Sequence, residues 1–214
     1  MADFVTEVYK RAGHRLVNLS GGDSFKVPTA LFRLYPLKPG EEIDVQAYAR
    51  QLAAAEPRHA LEQAVSMLER RDRSVQEVTK KLVDAGYSQQ AAGRACARLL
   101  EGGYLDDERY ASQAISRLGK KYGSIRLRRE LRRAGIAEEI ISRLLDAREP
   151  EEQLEAAISL AQKSLRGKTL EPAAAWRRAY GALARRGYPP NIVRAALAAA
   201  LAEEPEDFIP ESDA

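Results

Sequence analysis

The stretch "GSIRLRRELRRAGI", Gly123 to Ile136, decides the fold, because its pattern returns twice more along the chain. Leu127, Leu131 and Ala134 follow one another at spacings of four and three, which marks one face of an α-helix. Ser124 precedes that face, and its hydroxyl is expected to cap the helix start. Gly135 stands where a helix commonly ends in a left-handed residue. At about 100° per residue, Arg126, Arg128, Arg129, Arg132 and Arg133 fan over the half opposite the apolar stripe. With Lys120 and Lys121 just before, seven cations meet a single acid, Glu130, within seventeen residues. Neighbouring like charges on a helix repel by a few tenths of a kcal/mol per pair. A solvated face usually mixes both signs, so the excess points to an anionic partner.

Aligned on its glycine, "LRRELRRAGI" (Leu127–Ile136) is echoed by "VTKKLVDAGY" (Val78–Tyr87) and "AYGALARRGY" (Ala179–Tyr188). Each glycine has a leucine four residues earlier (Leu82, Leu131, Leu183) and an apolar residue eight earlier (Val78, Leu127, Ala179). Such self-similarity marks a repeat protein. Each unit reads as three helices. The first carries Leu61, Val65 and Leu68, then a helix opened by Ser74 with Glu77 as a capping box, then one from Ser88 to Leu100. The second has a helix capped by Asp106 or Asp107 and carrying Tyr110, Ala114 and Leu118, then the arginine helix, then one with Ile140, Ile141, Leu144 and Leu145. The third runs from Leu154 to Leu165, continues around Trp176 and Leu183, and ends in a helix started by Pro189. A unit of this size buries a marginal core alone, so stacked units are expected to share cores in an elongated, curved body.

Residues 1–43 differ: "FVTEVYK", "RLVNLSG" and "SFKV" suggest a small antiparallel hairpin or three-stranded sheet. The expected organisation is a β-rich extension at 1–43, a linking helix at 44–57, three-helix repeats at 58–104, 105–149 and 150–202, and an acidic tail at 203–214. The tail holds six acids and no base, a composition expected to be disordered. Folding over the arginine face and competing with its partner is one role open to it.

The net charge of +3 hides this asymmetry. Between Gly102 and Arg148 eleven bases face seven acids, and between Glu149 and Ala202 eight face five. One cysteine, Cys96, excludes an internal disulfide; beside Ala92 and Ala95 it reads as a small core residue rather than a nucleophile. Two histidines and one cysteine argue against structural zinc. No apolar run approaches the ~20 residues that cross a bilayer, and the N-terminus lacks a signal core, so a cytoplasmic protein is expected; nothing resembles a coiled-coil seam, and a monomer is expected. Asp106, Asp107 and Glu108 diverge around their helix, which favours capping over acid-base chemistry. No phosphate-loop glycine motif or nucleophile triad is present, so no enzyme, cofactor or metal is expected.

The segments "SMLERRDRSVQEVTKKLVDAGY", "LLEGGYLDDERYASQ", "GSIRLRRELRRAGI" and "LARRGYPPNIVRAAL" resemble, in order and spacing, the RecX family of regulators of the bacterial recombinase RecA. The resemblance runs from about Phe4 to Leu201. It implies tandem three-helix, helix-turn-helix-like repeats that lie in the groove of the RecA filament on single-stranded DNA. It further implies inhibition of filament growth, ATP hydrolysis, strand exchange and coprotease activity. The residues assigned to the partner are Lys120, Lys121, Arg126, Arg128, Arg129, Arg132 and Arg133, extended by Arg177, Arg178, Arg185 and Arg186.

The alternative is a helix-turn-helix DNA-binding protein acting without RecA, with each third helix reading a groove. Gln89, Gln90 and Arg94 in the first unit, and Asn191 and Arg194 in the last, suit nucleic-acid contact. In the second unit Glu138 and Glu139 would face phosphates with the wrong sign. Tyr87 and Tyr188 follow their cap glycines, where an apolar residue packs back on the helix, so core packing is expected there rather than base stacking.

Overall fold

In the computed structural model, residues 3–167 and 169–201 are described; the acidic tail lies outside them. The chain divides after Asp107 into two compact units.

The first unit opens with β1 (Asp3–Lys10), β2 (His14–Leu19) and β3 (Ser24–Pro28), followed by α1 (Thr29–Leu34) and the two-residue β4 (Glu42–Ile43). The sheet is antiparallel and has four strands, ordered β3-β2-β1-β4, one more than the sequence pattern reveals. The extra strand is short: it pairs only at Asp3–Ile43 and Phe4–Glu42. Val5, Val17, Leu19 and Val27 turn inward and join one hydrophobic cluster with residues of the helices that follow.

Those helices are α2 (Val45–Leu68), α3 (Val75–Asp84) and α4 (Gln89–Glu101). Sequence reading separates a linking helix at 44–57 from the helix carrying Leu61, Val65 and Leu68, whereas the structure runs one helix through both, with Pro57 inside it. Asp44 caps its start through the Ala47 amide, and buried Tyr48, Ala60 and Ala64 hold its length against the core. Tertiary packing thus outweighs the local preference of proline to break a helix. Ser74 and Ser88 cap α3 and α4, each hydroxyl accepting a backbone N–H at 3.1 Å. Glu56 of α2 reaches the Ser88 hydroxyl at 2.7 Å. Cys96 is buried, its sulfur 3.2 Å from the Thr79 hydroxyl.

Asp107 does something the sequence does not indicate. Its carboxylate accepts the Val75 N–H at 2.9 Å, so it serves the first turn of α3 while standing at the start of another helix.

The second unit contains α5 (Asp107–Leu118, from its second residue), α6 (Ser124–Arg133), α7 (Glu138–Asp146), α8 (Pro150–Leu165), α9 (Pro172–Arg185) and α10 (Pro190–Ala200). Two further clusters fill it: one around Ala111, Leu127, Leu131 and Ile141, the other around Ala157, Trp176, Leu183 and Leu197. Pro189 is the N-cap of α10 and Pro190 its first residue, one position beyond the expected start. Among the described residues no helix is long and apolar enough to cross a membrane.

The repeat seen in the sequence is a repeated helix end. At Gly86, Gly135 and Gly187 the backbone is left-handed, with φ of +93°, +79° and +72°. In each case the next amide returns to the leucine carbonyl five residues earlier: Tyr87 to Leu82, Ile136 to Leu131, Tyr188 to Leu183. This is the Schellman closure, with its usual apolar contact. Tyr87, Ile136 and Tyr188 are accordingly buried, which settles the two tyrosines as core residues rather than base-stacking platforms.

The start of α6 departs from expectation. Ser124 is its first residue, and Gly123 occupies the cap position with no side chain to offer. Backbone carbonyls at the end of α9 take its place: Arg186 accepts the Gly123 N–H at 2.9 Å and Gly187 accepts the Ile125 N–H at 3.1 Å. A Cβ on Gly123 would lie 2.3 Å from the Gly187 carbonyl oxygen, and one on Gly187 would lie 2.6 Å from the Arg126 nitrogen. The junction is therefore backbone against backbone. Gly123→Ala should cost about 1–3 kcal/mol through overpacking, and Gly187→Ala should add a left-handed penalty of about 1–2 kcal/mol. Gly103→Ala, at φ +70° with open space around it, should show the backbone penalty alone. Thermal and urea unfolding of the three variants measures this; equal losses at Gly103 and Gly187 would contradict a tight junction.

Candidate functional site: a basic groove on the second unit

The junction sets α6 beside the end of α9 and the start of α10. Between them lies a groove of about 370 Å³, lined by Ile125, Arg126, Arg129, Glu130, Arg133, Tyr180, Ala184, Arg185, Gly187, Tyr188, Pro190 and Val193. Four arginines from two repeats thus converge around one acid. Glu130 lies 3.9 Å from Arg126 and 3.8 Å from Arg133, distances at which exposed pairs contribute little. Arg129 and Arg185, both exposed, have no ion-pair partner among the described residues. Ile125 adds an exposed apolar edge.

The arginines of α6 do not act as one set. Arg128 and Arg132 turn toward α7, where both pair with Glu138; Arg132 Nε donates at 2.7 Å, and Arg128 also donates to the Ser142 hydroxyl at 2.9 Å. Hydrogen bonding from Arg132 and then Arg128 holds the Glu138 carboxyl below the usual glutamate range, and the same bond raises Arg132. Two of the five arginines expected to face a partner thus carry an ion pair within the fold. A helical wheel gives the angle of each side chain but not the neighbour it meets, and α7 supplies a carboxylate on one flank. A second pair, Arg143 with Glu108 at 2.7 and 2.8 Å, ties α7 to α5 and lowers the Glu108 carboxyl.

Arg126 and Arg186 both lie over the Tyr122 ring, 4.0 and 5.6 Å from its centroid. Arg186 Nη1 also donates to the Lys121 carbonyl at 3.1 Å. Beside them a second pocket, about 480 Å³, is lined by Lys120, Lys121, Tyr122, Ala156, Ser159, Leu160, Lys163, Arg186 and Tyr188. Lys163 is a residue that sequence reading misses. It stands singly in "AQKSLRG" on α8, and only the fold brings it to the Lys120–Lys121 loop. Arg177 and Arg178 are exposed on α9, away from the groove lining, and Arg178 Nε donates to the Ser164 carbonyl at 2.7 Å.

The residues suited to nucleic-acid contact fall in different units. Gln89, Gln90 and Arg94 are exposed on α4 of the first unit, and Arg194 is exposed on α10 of the second.

A chain of three-helix domains, each carrying the same glycine cap, with arginines of two domains around one groove, defines a tandem helical-repeat protein. Three family models match it in order: "RecX, first three-helix domain" over residues 60–99, the second over 106–145 and the third over 151–197. Regulatory protein RecX of Geobacillus sp. (strain WCH70) is 30% identical over 194 residues, covering 89% of this chain and 69% of the relative. That of Vibrio vulnificus (strain CMCP6) is 34% identical over 135 residues, covering 63% and 88%. A crystal structure of regulatory protein RecX shares the fold, with a TM-score of 0.62 and 23% identity over 91% of this chain and 98% of that one. The chain belongs to the RecX family of regulatory proteins.

The Glu138 cluster has a pH signature. Its pairing is fully present above the ordinary glutamate pKa and is lost as pH falls through the depressed value. A carboxyl-detected NMR titration should place the Glu138 midpoint below that of an ordinary glutamate, and Arg132→Ala should move it upward. A midpoint at the ordinary value in the unaltered protein would dissolve the cluster.

Proposed function

We propose that this protein is a negative modulator of RecA that binds the RecA filament on single-stranded DNA, in its groove. Bound there, it inhibits filament growth, ATP hydrolysis, strand exchange and coprotease activity. The observation that carries this reading beyond family membership is the α6–α9 groove. Its arginines come from two successive repeats locked together through backbone, so the positive charge is held in fixed register rather than on a flexible arm. A preorganised charge array loses less conformational entropy on binding a complementary surface than a mobile one. It also accelerates encounter with an anionic filament in a salt-sensitive way.

Within the proposed contact, Arg126, Arg129, Arg133 and Arg185 form the centre. Lys120, Lys121, Arg177, Arg178 and Arg186 extend it. Arg128 and Arg132 act through Glu138, bracing α6 against α7. Single-stranded DNA is met weakly or through RecA, with Gln89, Gln90, Arg94 and Arg194 as the additional polar positions. The competing reading, a groove-reading DNA-binding protein, asks the first turn of α7 to approach DNA, and Glu138 and Glu139 stand there.

Simultaneous Arg129→Ala, Arg133→Ala and Arg185→Ala replacement should raise the concentration needed to inhibit ATP hydrolysis by RecA on single-stranded DNA at least about tenfold, equivalent to about 1.4 kcal/mol. Helix content by circular dichroism should be unchanged. Undiminished inhibition by the folded triple variant rejects the groove as the contact. Tight binding of the unaltered protein to one duplex sequence, with no effect on RecA, selects the competing reading.

A further inference from the structure

The pocket between the α5–α6 loop and α8 differs in kind from the arginine groove. Lys120, Lys121, Lys163 and Arg186 surround it, and no carboxylate is among its lining residues, whereas Glu130 sits in the groove. Ala156, Ser159, Leu160 and Lys163 share one face of α8 at helical spacing, so the serine hydroxyl and the lysine open onto the same space. Tyr188 forms part of its wall. That residue is 3% exposed, and its hydroxyl has no hydrogen-bond partner among the described residues. Buried hydroxyls ordinarily have one. Burial keeps the phenol protonated, hence a donor, and the Arg148 and Arg186 charges lie close enough to act on it. Arg148 itself carries a buried Nη1 without a partner among the described residues.

A concave site lined by three lysines, an arginine, three hydroxyl-bearing side chains (Tyr122, Ser159 and Tyr188) and no acid suits a compact, multiply charged oxyanion. A planar carboxylate uses fewer of these donors. We propose that this pocket is a phosphate site, with Lys163 and Lys120 as its principal charges and the Ser159 and Tyr188 hydroxyls as hydrogen-bond donors. Phosphate reaches such a site either in the backbone of a single-stranded nucleic acid or in a free nucleoside triphosphate. The inference rests on the pocket alone, and its test contains no RecA, so its failure and that of the filament reading are separate events.

Binding of a short oligothymidylate with a 5′-hydroxyl end, followed by fluorescence anisotropy across a salt series, is one arm. Calorimetry with ATP is the other. Lys120→Gln with Lys163→Gln changes two exposed side chains and leaves the cores intact. It should weaken one of the two probes about tenfold. If the strand responds, its log-affinity against log-salt slope should also fall by about 0.7 for each phosphate that the variant leaves unneutralised, assigning the site to nucleic-acid backbone. A response of ATP alone assigns it to a free polyphosphate. Tyr188→Phe, which keeps the ring packing, should weaken the same probe by a few-fold. Unchanged affinities for both probes in the folded double variant overturn the proposal.

Discussion

The second unit depends on a contact between two glycines sixty-four residues apart. The first amides of α6 have no side-chain acceptor, and the last carbonyls of α9 have no further helix to receive them. Each end satisfies the other. The pairing also brings the positive end of one helix dipole to the negative end of the other. Such an arrangement is open only to residues without a β-carbon, because the two backbones approach more closely than any side chain permits. Two repeats that could have pivoted about a loop are fixed in one relation.

Charge placement follows from that relation. Because α6 is anchored at its start, its long axis divides the arginines into a flank that meets α7 and a flank that meets α9. Glu138 neutralises part of the first flank, while the second accumulates positive charge from both repeats. One helix therefore carries structural and outward-facing arginines in alternation. Without α7, the repulsion along α6 would oppose the helix itself; with it, the repulsion is concentrated where a partner can relieve it.

How much of this is legible in the sequence depends on the range of each interaction. The glycine caps and their leucines are written within ten residues, so the repeat, the helical class and the burial of Tyr87 and Tyr188 can be read directly. The short fourth strand, Glu42–Ile43, carries too little pattern to announce itself. The long α2 is obscured by Pro57, whose local effect is overridden by a core formed elsewhere in the chain. The arginine stretch stands out as unusual, but its division does not, since Glu138 looks only like an acid of the wrong sign. Lys163 and the α6–α9 junction are beyond reach, because each exists only when distant segments meet.

The N-terminal sheet acquires a role from its packing. It shares one hydrophobic cluster with α2, α3 and α4, and the Gly86 turn of the first repeat rests against His14 and Pro28. Terminal repeats of a solenoid need their outer apolar surface covered, commonly by a polar-backed cap. Here a β-sheet serves as that lid, joined by a helix that belongs to both. Sheet and first repeat should therefore lose amide-exchange protection together, as a single cooperative block rather than as an appendage and a domain.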